Sequence, residues 1–170
     1  MMPDGMTRLA SPFTVGDTID RVAAAARASG MLVFARIDHA FAATEVGLVM
    51  RPAELLIFGS ARVGTPVMQA AATAALDLPL KALAWQDETG ITWLGFNDPE
   101  WIAQRHFLNG EQDAVETMTA GLFRIMHEAT RPHEDAGPGQ AETPLREPED
   151  IAMPSPEAIR LATERKVMAQ

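Results

Sequence analysis

The spacing of apolar residues along the chain predicts a folded body over residues 6–131, built from alternating helices and strands. Thr14 lies three residues before Asp17, a variant of the capping box that starts a helix. Gly30 stands where a left-handed helix cap is expected. Between them, apolar residues recur at helical spacing and give the helix one buried face. These residues are Ile19, Val22, Ala23 and Ala26.

Four apolar runs of strand length follow this helix. They are Met31–Ile37, Leu55–Phe58, Leu80–Gln86 and Ile91–Phe96. The last two are separated by Asp87-Glu88-Thr89-Gly90, which predicts a β-hairpin. Short helices are predicted between the strands at about 40–46 and 66–76, and after the last strand at about 97–106. We therefore expect an α+β fold, a two-layer sandwich with a mostly antiparallel sheet and helices on one face. The strand–helix repeat leaves open an α/β sandwich with some parallel pairing.

The C-terminal part of the chain divides into three segments. Residues 111–131 predict an amphipathic helix that packs on the body, residues 6–110, or on a dimer partner. Residues 132–154 are rich in proline and acidic side chains and predict a linker. Residues 155–170 predict a short helix that starts at Ser155-Pro156. The apolar seam of the first helix consists of Val115, Met118, Leu122, Ile125 and Ala129.

Composition excludes several classes of function. The chain of 170 residues has a net charge of −9 and no clustered cations, which argues against a nucleic-acid partner. It has no cysteine, so disulfides, thiolate catalysis and cysteine-ligated metals are excluded. No histidine pair has metal-ligand spacing, and we expect neither a metal nor a cofactor. Without a signal peptide or a long apolar run, we expect a soluble, cytoplasmic protein with no membrane partner.

The segment Gly59–Thr65 is a candidate ligand site. It follows a strand and precedes a helix, as a phosphate-binding loop does, but Thr65 stands where that loop requires lysine. Nucleotide hydrolysis is therefore rejected. Backbone N–H groups at the helix start could still hold a carboxylate or phosphate, with Arg62 nearby. The alternative is a strand-to-helix turn in which Thr65 caps the helix.

Two further residues are candidates for chemistry. His39 lies at a strand-to-helix junction, where it could act as a general acid or base if a partner oriented it. Asp38 beside it fits a helix N-cap equally well. Lys81 lies among apolar strand residues and could bind an anion, although a lysine in this setting more often extends from the end of a strand.

Several short motifs occur in order along the chain. The main ones are Phe34–Ala40, Glu54–Gly59, Gly64–Gln69, Ala75–Ala82 and Asn97–Pro99. Together they resemble the DUF302 family, also called TT1751-like proteins. The resemblance covers about residues 8–106 and implies a small two-layer α+β domain, commonly a dimer.

The family has no assigned function, so no catalytic residue is carried over. Its shared positions include His39, Gly64, Thr65 and Lys81, whereas Ser60-Ala61-Arg62 departs from its usual pattern.

The leading functional hypothesis is a homodimeric binding module for a small anionic or polar ligand. Its site residues would be His39, Arg62, Gly64, Thr65 and Lys81. One alternative is a small enzyme with His39 as general acid or base. The other is a structural or protein-interaction module.

Overall fold

The computed structural model describes residues 3–132, so the predicted linker beyond residue 132 and the helix at 155–170 lie outside the described residues. The strands are β1 Met6–Ser11, β2 Leu32–Asp38, β3 Ala53–Gly59, β4 Leu80–Gln86 and β5 Thr92–Asn97. The helices are α1 Val15–Ala28, α2 His39–Thr44, α3 Ala61–Ala70, α4 Pro99–Arg105 and α5 Gln112–Thr130. A short 3₁₀ helix, Ala72–Leu76, lies between α3 and β4.

The strands form one five-stranded sheet in the order β1-β5-β4-β3-β2. All four pairings are antiparallel. The predicted α+β fold is confirmed, and the alternative with parallel pairing is wrong. Helix α1 carries the chain from β1 at one edge to β2 at the other, so no strand needs a parallel neighbour.

Helix α1 packs across the middle of the sheet and contacts β3 and β4. Its start is the predicted one, because Thr14 Oγ1 accepts a hydrogen bond of 3.2 Å from Asp17 N. Ile19, Val22 and Ala26 are buried against the strands. The capping residues and the apolar spacing together were sufficient to place this helix.

Helix α5 packs on α1 and closes the core. All five residues of its predicted seam are buried. The guanidinium of Arg21 on α1 donates to three carbonyls at the C-terminal end of α5 and its cap, Ala129 O at 2.7 Å, Glu128 O at 3.3 Å and Arg131 O at 2.8 Å. These bonds satisfy carbonyls that a helix end leaves without a partner and tie the two helices together.

Strand β1 was not predicted. It pairs with β5 from Met6 opposite Asn97 to Ser11 opposite Thr92. Its sequence, MTRLAS, has too few apolar residues to show a strand pattern. The end of β1 is fixed instead by a buried hydrogen bond of 2.7 Å between the hydroxyls of Ser11 and Thr18 on α1.

Alternate residues of the strands face opposite sides of the sheet. On the core side, Leu56, Phe58, Ala82 and Leu94 are fully buried. The other side, which we call the second sheet face, is only partly covered and is also apolar. The second sheet face is defined by Leu55, Ile57, Leu83, Trp85 and Trp93.

Candidate functional site

The segment after β3 is a helix and not the predicted loop. Helix α3 begins at Ala61, so Gly64 and Thr65 lie inside it, and the expected role of Thr65 as N-cap is wrong. Ser60 occupies the cap position, and its carbonyl accepts from Gly64 N at 2.9 Å. Pro66 stands within the helix, although it cannot donate the hydrogen bond that a residue at this position normally makes.

The helix also ends earlier than predicted. Helix α3 stops at Ala70, and the 3₁₀ helix Ala72–Leu76 continues to the start of β4. The Thr65-Pro66 pair resembles a helix start. For this reason the predicted start of the helix, at residue 66, lies five residues after its actual start at Ala61. One side of α3 packs in the main hydrophobic core, where Val67 is fully buried. This packing favours a helix that follows β3 directly.

A cavity of about 260 Å³ lies beside the first turns of α3. Its walls come from the C-terminal end of β3, the N-terminal end of β4, α3 and α5. Most of the lining atoms are carbon. Met118 and Leu80 are buried at its floor, whereas Phe34, Thr65 and Thr117 are exposed to solvent. The cavity is also lined by Met31, Ser60, Gly64, Met68 and Leu78.

The structure brings only two of the five predicted site residues to this cavity, Gly64 and Thr65. Arg62 is exposed on α3 and does not line the cavity. Lys81 Nζ donates to two backbone carbonyls just before β4, Asp77 O at 2.8 Å and Pro79 O at 3.2 Å. Its ammonium group therefore stabilises this bend in the chain.

His39 lies at the opposite end of the sheet. Its neighbour Asp38 is opposite Glu54, near the start of β3, whereas α3 follows the end of that strand at Gly59. At ~3.3 Å per strand residue, the two ends of β3 are roughly 20 Å apart. Asp38 caps α2 by accepting from Phe41 N at 2.8 Å. Within residues 3–132, no side chain hydrogen-bonds to the exposed His39.

A second group of polar side chains was missed by the sequence analysis. His106 Nε2 lies 2.6 Å from Asp77 Oδ2, and His106 Nδ1 lies 3.0 Å from Thr73 Oγ1. Arg105 Nε is 3.5 Å from the same Asp77 oxygen. No sequence signal could have revealed the cluster, because about thirty residues separate its two halves. It joins α4 to the 3₁₀ helix, and Thr73 and Arg105 are its exposed members.

Among residues 3–132, two ionisable groups have shifted pKa values, and both lie away from the cavity. Burial lowers the pKa of Arg36, but hydrogen bonds to Glu54 and Asp20 more than compensate, so the net shift is upward. The pKa of Asp87 is well below its usual range because its carboxylate accepts hydrogen bonds from Trp93 and Thr89. Within residues 3–132, no three metal-ligating side chains converge on one point.

Residues 7–125 match the family model described as "Domain of unknown function DUF302". The chain belongs to the DUF302 family. The match extends past residue 106, where the motif resemblance ended, and includes most of α5. This helix therefore forms part of the matched DUF302 region, which agrees with its packing on α1.

A solved DUF302 structure has the same fold. The crystal structure of an uncharacterized conserved DUF302 protein from Bacillus stearothermophilus aligns with a TM-score of 0.67 and 16% identity. The alignment covers 75% of this chain and 99% of that one.

Curated relatives come from Brucella. The chain is 47% identical over 126 residues to proteins named fluoride-specific ion channel FluC 1, from Brucella suis and Brucella abortus. The alignment covers 74% of this chain and about half the length of those relatives, 50% and 47%. In the part of this chain that the structure describes, no helix is both long enough and apolar enough to span a bilayer.

Proposed function

We propose that this DUF302 domain is a homodimeric module that binds a small ligand in the cavity beside α3. The cavity of about 260 Å³ is the observation that supports the proposal. Small-molecule sites are concave, mostly apolar and furnished with a few polar groups, at volumes from about 300 Å³ upward. This cavity is close to that lower limit, so its ligand is a small molecule and not an extended cofactor.

The sequence predicted a small anionic or polar ligand, and the lining favours an apolar ligand with one polar group over an anion. Methionine and leucine side chains form the floor, and a charged group placed there would lose its hydration without a partner. Polar groups lie at the edge of the cavity. The side chain of Ser60 makes no capping hydrogen bond and can bond to a ligand hydroxyl or carboxyl group.

The enzyme alternative based on His39 has less support. A general base needs a partner that fixes its orientation, and the exposed His39 has none among residues 3–132. It also lies at the far end of β3 from the cavity. Loss of a measured turnover in His39→Ala would restore this alternative.

Methyl NMR of the methionines tests the binding proposal. Three of the ten methionines, Met31, Met68 and Met118, line the cavity. Titration with 1-hexanol should shift the three methyl signals saturably and leave most of the others in place. Inorganic phosphate at the same concentration should shift none of the three. Shifts spread over all methionines, or no saturation, would refute a defined cavity site.

Two variants of α3 sharpen this test. Gly64 lines the cavity, and a side chain built there would point toward Leu78 and Met68. Gly64→Leu should therefore fill the space and weaken hexanol binding at least tenfold. Gln69→Leu, on the exposed side of the same helix, should leave binding unchanged. Equal binding by both variants would exclude the cavity as the site.

A second candidate function is association with fluoride transport. The observation that favours it is the 47% identity to about half of proteins named fluoride-specific ion channels. We propose that the matched half modulates transport by the protein that contains it. Deleting the matched region from the Brucella suis relative should change the rate of fluoride efflux from proteoliposomes. Unchanged efflux at equal protein content would remove this candidate.

A further inference from the structure

We infer that two copies of the chain meet through the second sheet face and the apolar segment that precedes β3. This inference rests on the homodimer in the proposed function and names the surface that forms it. We define the apolar segment as residues 46–50, with the sequence VGLVM. Both surfaces lie within the described residues, and neither contributes to the cavity beside α3.

The apolar segment is unusually exposed for its composition. Val46, Leu48 and Val49 are 71%, 64% and 99% exposed, and no charged residue lies among the five. Phe41 on the preceding helix is also mostly exposed. Isolated apolar residues on a surface are ordinary, but several in one short segment mark an interaction site.

The second sheet face supplies the other half of the surface. Trp85 and Trp93 lie directly opposite each other in the pairing of β4 with β5, and Leu55 is opposite Leu83. The large side chains of this face are only partly buried, whereas their neighbours on the core side are fully buried. A partner that covered them would gain roughly 25 cal/mol for each Å² of apolar area removed from water.

Two charged side chains of this face contact groups of their own chain. The guanidinium of Arg8 lies over the Trp93 ring, 3.9 Å from its centroid. Lys81 donates to the carbonyls of Asp77 and Pro79 just before β4. The part of the face around Leu55 and Leu83 is apolar, which suits an apolar partner surface.

The apolar segment leads into the second sheet face along the chain. Ala53, three residues after Met50, is opposite Trp85 in the sheet. The intervening chain is fixed to the hairpin, since Gln86 N donates to Pro52 O at 3.0 Å. These contacts place the C-terminal end of the segment near the hairpin end of the sheet face.

A second copy of the chain fits this surface better than a charged partner does. The protein carries a net charge of −9, so two copies can approach closely only through a neutral region. In a two-fold pairing each copy uses the same patch. The segment of one copy can then cover the sheet face of the other, and the reciprocal contact buries the second pair of surfaces. A standard interface buries ~800 Å² per partner, so the segment and the sheet face would have to be covered together to form a stable dimer.

Sedimentation equilibrium of the full chain tests the interface. The wild type should be a dimer, and Val49→Asp should be monomeric or at least a hundredfold weaker in association. The side chain of Val49 is almost wholly in solvent, so this change leaves the protomer folded. Leu76→Asp adds the same charge at another exposed apolar position outside this surface and should remain dimeric. A monomeric wild type, or a dimeric Val49→Asp variant, would overturn the inference.

Cross-linking locates the contact. The chain contains no cysteine, so Val49→Cys and Ala10→Cys each introduce a single thiol. Ala10 is exposed on the second sheet face, opposite Trp93. A short thiol-specific cross-linker should join a mixture of the two variants faster than it joins either alone. Preferential joining of either variant to itself would refute the predicted arrangement.

The methyl titration separates failure of the interface from failure of the proposed function. A Val49→Asp monomer that still binds hexanol in the cavity would support both the interface and the binding module. A dimer without hexanol binding would retain the interface and refute the module. A wild-type monomer that binds hexanol would refute the interface and the homodimer of the proposed function, and would leave ligand binding in the cavity standing.

Discussion

The side chains of His106 and Asp77 are joined by a contact of 2.6 Å between Nε2 and Oδ2. They are only 6% and 12% exposed. The contact fixes the end of α4 to the residue that follows the 3₁₀ helix, and thereby holds the chain at the entrance to β4. Because the pair is largely buried, removing one member leaves the other poorly solvated.

A double-mutant cycle should reveal this coupling. We expect His106→Ala and Asp77→Ala each to lower the free energy of unfolding by about 1.5–3 kcal/mol. The double variant should cost less than the sum of the two, because the interaction is lost only once. His127→Ala, at an exposed position on α5, should change stability by less than ~0.5 kcal/mol. Additive losses measured by urea unfolding would show that the pair is not coupled.

Two glycine substitutions should have opposite signs. A methyl group at Gly64 would lie 3.9 Å from Leu78 Cδ1 and Met68 Cε, within ordinary contact distance. Gly64→Ala should stabilise the protein by ~0.5–1 kcal/mol, because glycine is unfavourable inside a helix. A methyl group at Gly95 would lie 2.8 Å from the Trp85 ring, so Gly95→Ala should destabilise by ~1–3 kcal/mol. Thermal unfolding measures both, and a shared sign would contradict the packing.

Phe107 occupies a backbone conformation that favours glycine. Its φ is 54°, in the left-handed region, and it follows α4 at the position where Leu108 N bonds back to Ala103 O at 3.0 Å. Phe107→Gly should stabilise the protein by about 1 kcal/mol, because it removes the steric cost of that conformation. Phe107→Ala removes the ring but retains the cost, so its stability should stay near that of the wild type. If both variants were stabilised equally, the gain in stability would come from removing the exposed ring and not from relieving the backbone conformation.

The hairpin should lose stability in acid through Asp87. Its carboxylate accepts from Trp93 Nε1 at 2.7 Å and from Thr89 N at 2.9 Å, and these bonds lower its pKa in the folded protein. A lowered pKa stabilises the fold above ~3.9, the value in an unfolded chain, and this stabilisation is lost as pH falls further.

The variant Asp87→Asn isolates this effect. It should be less stable than the wild type at pH 7, and the difference should shrink as the pH is lowered from 4 toward 2. Glu88→Gln, at the exposed neighbouring position, should show no such trend. A difference between Asp87→Asn and wild type that does not vary with pH would exclude a contribution from ionisation. Urea unfolding at several pH values provides the measurement.

Much of the fold could be predicted from the sequence where the local signals and the tertiary packing agreed. Strand β4 has the predicted limits, and α1 and the hairpin are within a residue or two of theirs. Strand β1 could not be predicted, because its pairing with β5 depends on residues about ninety positions away. At α3 the Thr65-Pro66 signal favoured a start that tertiary packing overrode.

The candidate site was less predictable than the fold. Gly64 and Thr65 do line a cavity, but from within a helix and beside carbon atoms contributed by α5. The sequence could not show that His39 and α3 occupy opposite ends of β3, because that depends on strand register. The choice between an anionic and an apolar ligand depends on the same tertiary contacts.

The strand order has a consequence for synthesis on the ribosome. Strand β1 emerges first, but its partner β5 ends at Asn97. The first strand must therefore remain unpaired until most of the domain has left the ribosome, while β3, β4 and β5 can already associate through local connections. During that interval the exposed edge of β5 is open to pairing with a neighbouring nascent chain, and β1 must compete for it.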